Sequence, residues 1–285
     1  MKSGPLQQTI CENCKKVLEK KVLKNEDVKE ESKEEINYVY SNYSYNDFGN
    51  SKPIMDKNSY TDAEWDEMEK ELKARVEKAG FGTRAGVVEA ALYLASLDYA
   101  VPYRGAPVQR EAYIGAYNKI GLNRTWGKNV SISRDIGEYS RGYKEVNGLD
   151  CGGFLTWALV NGGVLKEGET IYAHPKNYSK NSPKHISEIG NEIEPGDFAF
   201  TKTYPSWSTT AEWSHVALVV GVDEENVYVA EAKTGKYRKI VVTKVPKNSS
   251  LKTNVLTYFS KGDDKVYKAK NSDGTENKGN VPKVW

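Results

Sequence analysis

The chain has 285 residues, 38% of them hydrophobic, and its 41 Lys and Arg against 39 Asp and Glu leave a formal charge of +2. That length fits one large domain or two modest ones. So even a charge balance excludes a global pull toward nucleic acid or a membrane surface. No apolar run is long enough to span a bilayer, and three cysteines are too few for a disulfide scaffold.

The opening MKSGPLQQTICENCKK has no apolar stretch like a secretion signal. The chain therefore stays inside, has lost a leader, or leaves by another route. Cys11 and Cys14 form a single CxxC. It lacks the second pair or histidines that zinc needs, and the βαβ unit of a thioredoxin motif. A redox clasp is the alternative to no assigned role. From Cys14 to Glu35 the sequence is nearly a charge ladder with loosely helical apolar spacing. It reads as a solvated helix or an interaction helix. Residues 36–60, rich in Asn, Ser and Tyr, read as a linker, so residues 1–60 are expected to be an extension outside the domain.

Thr61 with Glu64 makes a capping box, followed by Trp65, Met68, Leu72 and Val76 on one helical face and a stop at Gly80. Thr83 caps a second helix through Val87, Val88, Ala91, Leu92 and Leu94 to about Leu97. A stretch rich in Tyr, Gly and Arg follows Tyr103, and a third helix runs from Cys151 to the Gly162–Gly163 pair. The period then changes. Phe198–Thr201, His215–Val222, Val227–Ala232, Ile240–Val245 and Val255–Phe259 are short β-branched or aromatic runs between turns. Helices first and antiparallel strands afterwards predict an α+β domain over 61–260, its helices packed on a curved sheet. The residues from 261 to 285 read as a loose polar tail.

In GLDCGGFLTWALVNGG the thiol of Cys151 falls at a helix start, where unpaired amides and the helix dipole favour thiolate. With a base beside it, Cys151 is a nucleophile; without one, it is a small buried hydrophobe. His215 heads an apolar strand, whereas His174 and His185 lie in a polar loop and read as exposed bystanders. If the next hairpin turns at Glu224, Ala217 faces Glu231 and His215 lies on the diagonal. A carboxylate among Val227, Val229 and Ala230 needs a partner, and His215 is a candidate; otherwise Glu231 is exposed.

Five pieces in order resemble the NlpC-type cell-wall cysteine peptidases of the papain-like superfamily. They are Val101-Pro102-Tyr103-Arg104-Gly105, Asp150-Cys151-Gly152-Gly153-Phe154, Pro195-Gly196-Asp197, Ser214-His215-Val216 and Glu231. The resemblance covers roughly Thr83 to Phe259. It implies a papain-like fold with Cys151 as nucleophile, His215 as general base and acid, Glu231 as the orienting residue and Tyr103 beside the nucleophile. It also implies cleavage of peptide or amide bonds in bacterial peptidoglycan, with no metal or organic cofactor. Tyr103, Arg104, Asp150, Gly152 and Trp213 are expected to line the substrate cleft.

This sequence departs from the pattern in three ways: Gly152 stands where the family has Ser, Glu231 where His, Asn or Gln is commoner, and an insertion occupies about 106–147. Five of eight arginines, Arg104, Arg110, Arg124, Arg134 and Arg141, lie in or beside that insertion. With Tyr113, Tyr117, Trp126, Tyr139 and Tyr143 they suggest a cap that reads an anionic peptide, or else a solvated surface. A secreted or wall-associated monomer is expected, without nucleic-acid partners. The alternatives are an acyltransferase or other amidase on the same fold, or a non-catalytic wall-binding module.

Overall fold

The computed structural model describes residues 40, 42–104, 117–204, 210, 212–234, 238–282 and 284, all of them within one unit, Ile36–Trp285. Cys11, Cys14, the charge ladder, Arg110 and Tyr113 lie outside the described residues.

Helix α1 (Asp62–Gly80) begins with the expected capping box. The Thr61 side chain accepts from the Glu64 N–H, and the Glu64 carboxylate accepts from the Thr61 N–H at 2.7 Å. It buries Trp65, Leu72 and Val76. Helix α2 (Arg84–Ser96), capped by Thr83, is buried along nearly its whole length. After a short antiparallel pair, β1 (Asn129–Ser131) and β2 (Lys144–Val146), comes α3 (Cys151–Asn161), which is buried from Gly153 onward.

Six antiparallel strands complete the α+β architecture. They are β3 (Lys184–His185), β4 (Phe198–Thr203), β5 (Glu212–Val222), β6 (Asn226–Lys233), β7 (Lys239–Pro246) and β8 (Leu256–Ser260), in the order β3-β8-β4-β5-β6-β7. A short helix, α4 (Ile186–Ile189), follows β3. Alternation along the strands feeds two clusters. Phe200, Leu218, Ala230 and Val242 join the core that includes α2 and α3, while Ala199, Val219, Val229 and Phe259 pack with Ile186 and Ile189.

The sequence boundaries shift at both ends. Residue 40 and residues 42–60 are part of the body: Tyr40, Phe48 and Met55 are buried. The Tyr40 hydroxyl donates to the buried Glu89 of α2 at 2.9 Å, and Arg75 of α1 donates to the same carboxylate at 2.6 Å. Phe48 also accepts from the Val242 N–H at 3.0 Å and Val101 accepts from Ile240 at 2.9 Å. These bonds cover the outer edge of β7, which would otherwise invite another strand.

The expected loose tail is tied down as well. Arg84, 1% exposed, donates to Asp197 at 2.8 Å and to Glu276 at 2.9 Å, and lies 4.5 Å over the ring of Tyr267. Tyr267 donates to the Gly196 carbonyl at 2.7 Å. The Pro195-Gly196-Asp197 turn is therefore the anchor for the C-terminal segment. Polar composition concealed this because charged groups that pair with one another can be buried together.

Candidate active site

Asp150 caps α3, its Oδ1 accepting from the Gly153 N–H at 2.7 Å. That cap makes Cys151 the first helical residue, and leaves its half-buried thiol at the end where backbone N–H groups lack helical acceptors. The helix packs on α2, β5 and β6, which brings its start to the sheet.

On the sheet, Leu218 faces Ala230 and Val219 faces Val229. Extending that register puts Ala217 opposite Glu231, with His215 on the diagonal, as the sequence suggested. The turn differs in detail. Val222 pairs with Val227, so the turn is centred between Glu224 and Glu225, and an irregularity between Val219 and Gly221 restores the register toward the site. The His215 Nε2–Oε2 distance to Glu231 is 2.7 Å. Glu231 is 4% exposed, and Thr243 of β7 donates its hydroxyl to the other carboxylate oxygen, with Lys233 at 3.7 Å.

Burial alone would lower the imidazole pKa. Hydrogen bonds to Cys151 and Glu231, with the charges of both, instead raise it to about 10. Burial likewise pushes the Glu231 carboxyl up, but its bonds to His215 and Thr243 and the neighbouring positive charges hold it below its usual value. With Nε2 committed to Glu231, Nδ1 is left for the sulfur. Cysteine, histidine and glutamate thus form one hydrogen-bonded chain.

Tyr103 stands beside it. Its phenol is pushed up to about 12 by burial and then by the charges of Cys151 and Asp150. Its backbone is pinned from two sides: its N–H donates to Arg238 at 2.6 Å, and Leu149 donates to the Pro102 carbonyl at 3.0 Å. Gly148 permits this contact, because a Cβ there would lie 2.1 Å from the Pro102 oxygen. At Gly152, by contrast, a Cβ would meet only Ala173 and Asp150, at 3.6 and 3.7 Å. Packing does not require glycine at that position.

Tyr103, His215 and Glu231 also line a groove of about 550 Å³, with Thr201, Ser214, Thr243 and Thr257 among its walls. Trp213 packs on Phe200 and Tyr258, with Lys202 at 4.8 Å over its ring. Arg104 bonds the Tyr103 carbonyl at 2.9 Å and lies 3.5 Å from Glu145. Among the described residues no group of three His, Cys, Asp or Glu could hold a metal.

Some expected roles change. Arg124 pairs with Asp66 and Glu69 of α1, so it ties the insertion to a helix. Trp126, expected to offer a contact surface, is fully buried against Trp157. Arg134 and Arg141 are exposed. His185 is not an exposed bystander: it is 5% exposed, contacts the Leu251 carbonyl at 3.0 Å and caps α4. His174 is exposed. Two nearby residues escaped the sequence reading. Thr243 could have been found as the lone small hydroxyl in an apolar strand, on the diagonal from Glu231. Tyr178, also within electrostatic reach of Cys151, carries no local signal.

Comparison with known proteins adds no relative: no family model, no curated protein and no solved structure matches the chain.

Proposed function

We propose that the chain is a cysteine-nucleophile hydrolase of papain-like arrangement, and more narrowly a peptidase or amidase acting on the stem peptides of bacterial peptidoglycan, in the wall or outside the cell. The observation that carries the chemistry is the Cys151–His215–Glu231 chain at the start of a buried helix. The substrate class rests on the five motif pieces. The hydroxyl-lined groove suits a polar peptide and reaches Tyr103 and His215, but Cys151, Arg104, Asp150, Gly152 and Trp213 are not among its lining residues.

In the proposed reaction Cys151 passes its proton to His215 and its sulfur attacks the scissile carbonyl carbon. The oxyanion is held by N–H groups at the start of α3. His215 returns the proton to the leaving nitrogen, the C–N bond breaks, and a thioester remains. His215 then takes a proton from water, whose oxygen displaces the sulfur to give the free acid. Glu231 stabilises the imidazolium without taking its proton.

Mass spectrometry of muropeptides digested by the wild type and by Cys151→Ala tests this reading. New amino groups should appear with the wild type alone, and a thiol reagent should abolish them. Equal products from both proteins would reject Cys151 as the nucleophile. Intact wall fragments beside turnover of other acylated substrates would reject the wall substrate only.

A further inference from the structure

Strands β6 and β7 carry two polar side chains on the face that presents Glu231. Thr243 faces Val229 across the pair, which puts it on the diagonal from Glu231. Lys233 is two residues on from Glu231 in β6 and projects from the same face. Its own partner across the pair is Lys239, four residues from Thr243 along β7. Lys233 therefore reaches Thr243 by running back past Glu231. Its ammonium lies 3.2 Å from the Thr243 hydroxyl and 3.7 Å from Glu231 Oε1.

The chemistry of these groups fixes the direction of each bond. An ammonium donates and an ionised carboxylate accepts, whereas a hydroxyl does both with one proton. Lys233 donates to Thr243, and the single Thr243 proton goes to Glu231 Oε1. Oε2 is left for His215 Nε2, at 2.7 Å. Each carboxylate oxygen thus has a donor of its own, one from β7 and one from β5. The carboxylate cannot turn without breaking a charge-assisted bond. Glu231 is 4% exposed, so water is a poor substitute for a lost donor.

We infer that Thr243 is a positioning residue: its hydroxyl, itself oriented by Lys233, locks the Glu231 carboxylate so that Oε2 stays on the His215 imidazole. The inference rests on the reading of Cys151, His215 and Glu231 as one catalytic chain, and extends that chain by two residues into the groove that both line. The charged or titratable groups that face Glu231 or share its groove are His215, Lys233, Lys244 and Tyr103, with Cys151 beyond His215. Thr243→Val leaves all of them in place.

The test is the pH titration of the Glu231 carboxyl, followed by carbon NMR with Glu231→Gln as the assignment control. The proteins compared are wild type, Thr243→Val, Thr243→Ser and Lys233→Met. Thr243→Val keeps the shape and removes the hydroxyl. It should raise the Glu231 pKa by about one unit, the size of one hydrogen bond to a charged group. Thr243→Ser should restore the wild-type titration. Lys233→Met should also raise the pKa, by an amount that added salt reduces, because Lys233 is partly exposed. On purified wall fragments Thr243→Val should lower kcat about tenfold with KM unchanged, and Thr243→Ser should recover it.

Coincident titrations for wild type and Thr243→Val overturn the inference while leaving the catalytic chain intact. A rise in KM at constant kcat also overturns it, because Thr243 would then be a substrate contact. Should the valine variant not fold, Thr243→Ala takes its place with the same expectation. The titration needs no substrate, so a wild type that leaves wall fragments intact would reject the functional reading and still let the carboxyl decide this inference.

Discussion

Glu231 holds His215 by Nε2, at 2.7 Å, from a position on the neighbouring strand that is almost closed to water. The bond fixes the ring's orientation and occupies Nε2, so that Nδ1 is the nitrogen left to serve the thiol. It also places a negative charge where an imidazolium forms. Replacing Glu231 by Gln keeps the shape and removes the charge. Turnover should fall roughly 10²–10⁴-fold, and the His215 titration, followed by NMR, should move down from about 10. An unmoved titration would contradict the pairing.

Linkage fixes the sign of the pH dependence. The His215 pKa is raised from 6.5 to about 10, so its contribution to stability is whole below pH 6.5 and declines as pH rises through about 10. The Glu231 pKa is lowered from 4.5, so its contribution is present above that pH and fades as pH falls. The difference in unfolding free energy between wild type and His215→Ala should therefore narrow on the alkaline side. A difference that stays flat from pH 6.5 to 10 would refute the assignment.

Gly148→Ala should act on Tyr103 through the backbone. The added methyl meets the Pro102 carbonyl, which must move and carry Tyr103 with it. A loss of about 1–3 kcal/mol is expected, with activity falling further than stability explains. Gly152→Ser gives the opposite test, since the site has room for a side chain. Its melting temperature should match wild type, and any change should appear in which muropeptides are cut.

Arg84→Met leaves Asp197 buried without its cation. The denaturation midpoint should fall by the equivalent of about 3–5 kcal/mol. Retained stability would show that the Arg84 cluster does not hold the C-terminal segment.

Much of the fold was legible because its signals are local. The Thr61–Glu64 box, the glycine stops and the five strand runs each announce an element within a few residues. Cys151, His215 and Glu231 were legible too, because a thiol at a helix start and polar residues in apolar strands break the local pattern. What stayed hidden depends on partners far along the chain. Trp126 looks like surface until Trp157 covers it, and Asp263 looks solvated until it meets Ser179 and Lys180. Such pairings leave no periodicity to read.

The knot of Arg84, Asp197, Tyr267 and Glu276 ties the last stretch of sequence to the interior. A protease nicking just behind Ser260 would strip away half of that knot, and with it the brace that keeps Tyr178 in place. The molecule's vulnerability to trimming therefore reaches from its far end to the surroundings of its sulfur.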